Sequence, residues 1–116
     1  MTPGEARDMY RRQIAEHGKT VLVRRYSGTG ASRTPTDVSV LARVKGYRAD
    51  KLAGTIQQGD QNVIVLAEDL EDTAIATLRA GDKIVDAGKE LNIEVVDQST
   101  RAIAGTLIAW DLQVRG

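Results

Sequence analysis

The chain has 116 residues, 16 Lys/Arg against 16 Asp/Glu, 41% hydrophobic and 3% aromatic residues, and no cysteine. That length admits one domain around a single core and excludes a second, and the lack of cysteine excludes a disulfide framework and a thiolate metal site. With three Tyr, one Trp and no Phe, the core has to be built from Val, Ile, Leu and Ala, a composition that suits strands better than long helices.

The zero net charge hides a sorting by position. Residues 1–58 carry 11 Lys/Arg against 5 Asp/Glu, and residues 59–116 carry 5 against 11. If the halves form opposite sides, a copy can meet a copy head to tail through complementary potentials, and such a contact closes into a ring where the rotation permits. If the halves interleave in the fold, no sided surface remains. Nothing at the amino terminus resembles a signal peptide, and apolar runs such as Val63 to Ala67 are too short to cross a bilayer; the sequence predicts a soluble protein.

In chain order, Thr2, Pro3 and Glu5 form a capping box with proline at the first helical position, because the hydroxyl and the carboxylate can each satisfy a free backbone N–H. A helix over 3–17 is expected, with Ala6, Met9, Tyr10, Ile14 and His17 on its apolar stripe, Arg7, Arg11 and Arg12 off it, and Gly18 as a left-handed cap. Thr20 to Tyr26 reads as a strand with Val21 and Val23 on one face. Residues 27–36, SGTGASRTPT, are rich in turn formers and predict a mobile loop. From Asp37 a strict alternation puts Val38, Val40, Ala42 and Val44 inward, and Gly46 ends that strand. Residues 48–54 form a connection, Thr55 to Gln58 lead on through Gly59 and Asp60, and Val63 to Ala67, apolar on both faces, reads as a covered strand.

Glu68, Asp69, Glu71 and Asp72 make an acidic bend, and Ala74 to Leu78 is a short strand or a turn. Lys83 to Ala87, a turn at Gly88 and Lys89, and a strand with Leu91, Ile93 and Val95 inward predict a hairpin. Gln98 to Arg101 turns the chain. Ala102 to Val114 reads as one long strand, with Gly105 as a bulge and Trp110, Leu112 and Val114 on one face. The expected fold is mainly β: a single domain over 1–116, a small antiparallel barrel or sandwich of about six strands over 19–115, its open end or edge covered by the helix.

Residues that carry chemistry are sparse. The one histidine, His17, sits at a helix C-terminus where the dipole favours positive charge. No segment offers a nucleophile elbow, and the acidic bend lacks the alternation and glycine of a calcium loop. Ser27, Gly28 and Gly30 are not followed by the G-K-[ST] of a phosphate loop. The sequence therefore predicts no enzyme, no metal and no cofactor. A basic first half on a small barrel raises a single-stranded nucleic-acid module of the OB type as the alternative, with Tyr26 and Tyr47 the aromatics near the basic strands.

From Gly18 onward the sequence resembles the small head-tail joining, or tail-attachment, proteins of tailed bacteriophages and prophages. The resemblance lies in the helix ending at Gly18, the strand pair around a polar loop, Gly46-Tyr47, Gly59-Asp60 before Val63 to Leu66, Gly81-Asp82-Lys83-Ile84-Val85, Gly88, the Leu91 to Val96 strand, and Leu112-Gln113-Val114-Arg115-Gly116 at the end. It implies a β-barrel virion protein without catalytic activity, assembled in the bacterial cytoplasm and seated in the virion neck as a ring of about six copies, bound to the portal on one side and the tail on the other. The contact regions expected on that basis are Arg7, Arg11 and Arg12 of the helix, Arg33 of the loop, and Glu68, Asp69, Glu71 and Asp72 of the bend.

Overall fold

The helix forms where its caps predict. In the computed structural model, which describes residues 2–28, 30, 33–46, 59–97 and 101–116, α1 spans Pro3–His17 and the Thr2–Glu5 capping box is closed in both directions at 3.2 Å. Ala6 and Ile14 are buried, Met9 and Tyr10 half-buried, and His17 is exposed rather than packed. Gly18 ends the helix in extended backbone, not in a left-handed cap. Its need is for space: a Cβ there would meet the carbonyl oxygens of Ile14 and Ala42, the latter at 2.7 Å, where helix and barrel wall touch.

The strands are β1 (Lys19–Ser27), β2 (Thr34–Gly46), β3 (Gln61–Leu66), β4 (Lys83–Asp86), β5 (Lys89–Asp97), β6 (Ala102–Ile103), β7 (Thr106–Leu107) and β8 (Ala109–Arg115). Six of them close an antiparallel barrel in the order β1-β2-β3-β8-β5-β4, and β6 and β7 make a separate small hairpin. Two three-stranded meanders, β1-β2-β3 and β4-β5-β8, are thus joined along two seams. The β3·β8 seam has six residue pairs, Gln61↔Val114 to Leu66↔Ala109. The β1·β4 seam has three, Leu22↔Val85 to Arg24↔Lys83.

The interior is filled by small and branched side chains, among them Val21, Val23, Ala42, Val63, Val65, Ile84, Ile93, Leu112 and Val114, with Trp110 the aromatic member of this cluster. Period-two alternation delivers these residues to one face. β3 departs from alternation because both of its faces are covered: Val63 and Val65 point inward, while Ile64 and Leu66 lie with Ala109 and Leu41 beneath Ile14 and Tyr10 of the helix. The helix therefore covers the outer wall over β2, β3 and β8, not an open end or edge of the barrel.

Several boundaries differ from the sequence reading for local reasons. β2 begins at Thr34, so 34–36 are strand, paired with 25–27 of β1; Thr29, Ala31 and Ser32 of the expected loop lie outside the described residues, as do Tyr47, the 48–54 connection, Thr55 to Gln58, and 98–100. The β4–β5 turn is Ala87-Gly88, one residue earlier than expected, with both residues at positive φ. That is the geometry in which a two-residue turn matches strand twist. Ala104-Gly105 repeats it between β6 and β7, so Gly105 is a turn residue and not a bulge, and the expected long final strand is a hairpin followed by β8. The bulge lies in β5 instead, between Ile93 and Val95; the extra residue reverses the alternation, leaving Val95 43% exposed and packing Val96 against the core. Ala74 to Leu78 is irregular, not a strand.

β3 and β4 stand opposite each other across the six-stranded ring, so the connection between them has to cross the mouth of the barrel. It does so as a 3₁₀ turn, Ala67–Asp69, and an irregular run to Asp82. Its apolar residues Leu70, Ile75 and Leu78 are buried in the barrel's cluster and plug that end.

Candidate interaction surface

Antiparallel order places the tip of the β1–β2 hairpin, the plug over 67–82 and the β6–β7 hairpin all at one end of the barrel. The opposite end carries Gly18, the Ala87-Gly88 turn and Arg115. β1 is paired with β4 only through Leu22, Val23 and Arg24, and β2 with β3 only from Ala42 to Gly46. Beyond those limits the β1–β2 hairpin continues as an arm whose two strands, among the described residues, pair with each other alone, Arg25↔Thr36 to Ser27↔Thr34.

Two charged groups fix the arm. Arg25 follows Val21 and Val23 on the inward face but lies past the rim, where it forks onto Asp82 at 2.9 and 2.7 Å and donates to the Thr77 carbonyl at 2.6 Å. Asp82, 4% exposed, also accepts from the Arg79 N–H at 3.1 Å, so one ion pair ties arm to plug. On the outer face Arg24 forks onto Asp37 at 2.7 and 3.0 Å and reaches Glu90 at 3.2 Å, and the Tyr26 hydroxyl donates to Glu90 at 2.5 Å. Hydrogen bonding from Tyr26 and Arg24 holds the Glu90 carboxyl below its ordinary range, and Arg24 does the same to Asp37. Neither cluster was anticipated from the sequence. The signal for Arg25 is its parity: a charged residue continuing an inward apolar alternation marks where the interior ends.

Of the predicted contact residues, half neutralise each other. The Arg7 Nε lies 3.6 Å from Glu68, and Arg11 donates to Glu68 and, at 3.0 Å, to Asp69. Helix arginines and acidic bend are thus one internal clasp over the barrel wall, not two opposed surfaces. Arg12 lines a shallow concavity on the solvent side of α1 with Glu5, Asp8, Met9 and Arg11. Arg33 is exposed at the arm, its guanidinium 4.0 Å from the Tyr26 ring centre. Glu71 and Asp72 are exposed on the plug.

At five places the charges of the two chain halves meet and neutralise each other. Arg7, Arg11, Lys19, Arg24 and Arg25 of the first half each meet a carboxylate of the second, Glu68, Asp69, Asp86, Glu90 or Asp82. The interleaved outcome holds for these pairs. Among the described residues no group of three or more His, Cys, Asp or Glu is placed to hold a metal ion, and no helix is long and apolar enough to cross a membrane. No protein-family model matches the chain, and no curated protein matches it at a significant level.

Proposed function

We propose that this chain is a structural adaptor of a tailed phage or prophage neck, joining the capsid portal to the tail as a ring of about six copies. The observation that carries the reading is the arm: a strand pair running past the wall of a plugged barrel, with exposed Arg33, Thr34 and Pro35 at its end. A rigid wall holds such an arm in a fixed direction, and its surface is available to a neighbouring copy or a portal subunit. The barrel interior is packed with its own side chains, so contacts with partners fall on the outside. The resemblance described above supplies the setting, host cytoplasm during assembly and virion neck afterwards. Because Arg7, Arg11, Glu68 and Asp69 are engaged with one another, ring contacts on this reading come from the arm and from Glu71 and Asp72.

The nucleic-acid alternative finds less support, because Arg33 lies over one face of the Tyr26 ring and the Tyr26 hydroxyl is engaged by Glu90, which reduces the aromatic surface open to base stacking. The decisive experiment mixes purified heads, tails and this protein. Glu71→Lys with Asp72→Lys should leave thermal unfolding within about 0.5 kcal/mol of wild type, as exposed sites do, and abolish joined particles. Full joining by that variant removes the plug carboxylates from the contact, and salt-sensitive binding of single-stranded DNA by the wild type supports the alternative instead.

A further inference from the structure

From Thr34 to Val40 the second strand has, among the described residues, a neighbour on one side only. β2 pairs with β1 from Ser27↔Thr34 to Lys19↔Ala42, while its ladder with β3 stops at Ala42↔Val65. The backbone hydrogen bonds outside the ladders, among the described residues, all lie elsewhere. Seven residues at ~3.3 Å each make an edge of about 23 Å, and its N–H and C=O groups are satisfied best by a second extended backbone. The usual protections of such an edge are few here. Pro35 guards only the outer end, and Asp37, the one charged residue in this stretch, is already held by the Arg24 fork.

We propose that this edge takes the same edge of a second copy, antiparallel about a two-fold axis perpendicular to the sheet. Such an axis keeps the inner faces of both barrels on one side of the joined sheet, and side-chain parity then requires some residue to stand opposite itself. Centring on Asp37 would oppose two carboxylates. Centring on Val38 sets Val38 against Val38 and each exposed Asp37 against the other copy's exposed Ser39, a carboxylate facing a hydroxyl donor in both directions. Val38 is therefore the centre. One strand edge per copy is smaller than the ~800 Å² per partner of a stable complex, so pairing belongs to high protein concentration. This inference does not rest on the neck reading; on that reading, pairing would occupy the arm until a portal displaced the second copy.

Ser39 is exposed on the outer face of β2 and stays paired with Leu22 of β1, so its substitution leaves the barrel intact. Sedimentation equilibrium of the full chain from about 10 μM to about 1 mM tests the register directly. The wild type should show a monomer–dimer equilibrium. Ser39→Asp sets two like-charge pairs across the axis and should weaken dimerisation, while Ser39→Lys sets two opposite-charge pairs and should strengthen it, each on the order of tenfold. A wild type that stays monomeric throughout overturns the proposal. So do two variants that move association in the same direction or leave it unchanged.

Discussion

Two walls of the same barrel are clad in opposite ways. Over β2, β3 and β8 a helix lies on Ile64, Leu66, Ala109 and Leu41 through Ile14 and Tyr10, and its rim is fastened by Arg101, which donates to the Tyr10 hydroxyl at 2.8 Å and to Asp111 at 2.9 Å. Over β1, β4, β5 and the end of β8 no helix of the described residues intervenes. There the covering is a lattice of charged groups: Arg24 with Asp37 and Glu90, Lys83 with Asn92 at 2.5 Å, and Arg115 with Asp60 and Glu94 at 2.9 and 3.0 Å. The helical wall draws its stability from removing apolar surface from water. The polar wall gains little per exposed pair and depends on the few pairs shielded from solvent. The contrast explains why β3 is apolar on both faces and β5 alternates up to its bulge.

Truncating the helical wall should produce the largest effect. Ile14→Ala removes a fully packed side chain between helix and sheet, and is expected to destabilise the protein by about 2–4 kcal/mol in urea unfolding; a loss under about 1 kcal/mol would make the helix an ornament of the barrel rather than part of its core. On the polar wall the most sensitive group is Asp60, 3% exposed and bonded to Gln113 at 3.0 Å as well as to Arg115. Asp60→Asn should cost about 1–3 kcal/mol, because burial makes an imperfectly satisfied polar group expensive. An unchanged midpoint would show that this wall is decoration throughout.

The smallest effect is in pH dependence. Glu90 has a folded-state pKa below its unfolded value of about 4.3. Its contribution is therefore complete above that value and is lost as pH falls through the lower folded one. Melting temperatures of wild type and Glu90→Gln between about pH 6 and pH 3 should converge on acidification. Parallel curves would mean that Tyr26 and Arg24 add nothing through Glu90. The group is mostly solvated, so the separation at neutral pH should stay below about 1 kcal/mol.

Local chemistry made the helix and the strand faces legible in the sequence. Thr2, Pro3 and Glu5 act within one turn, and Val38 to Val44 alternates without interruption, so neither depends on distant partners. The bulge at Ile93 was hidden because the inserted residue carries no signal of its own; only the ladder with β8 reveals that Val95 has been turned outward. Ile75 and Leu78 read equally as a short strand or a turn, since their role as a plug exists only once β3 and β4 are known to face each other. Of the contact residues, the sequence pointed to Arg7, Arg11, Glu68 and Asp69 as charged patches, but charge alone does not say that two patches will meet. Arg25 and Asp82, 57 positions apart, illustrate the same limit.

The two seams of the barrel are unequal, and this sets how the closed sheet comes apart. Each meander can form from hairpins close in sequence, whereas β1 finds β4 only after some sixty residues of chain have been arranged, the kind of non-local contact that delays folding. With three residue pairs against six, the β1·β4 line is the natural place for transient fraying, and the split would run between the Arg24 and Lys83 side of the sheet while Trp110 stays enclosed. Breathing along that line would free the base of the arm only where the Arg25–Asp82 and Arg24–Glu90 contacts that cross it also let go.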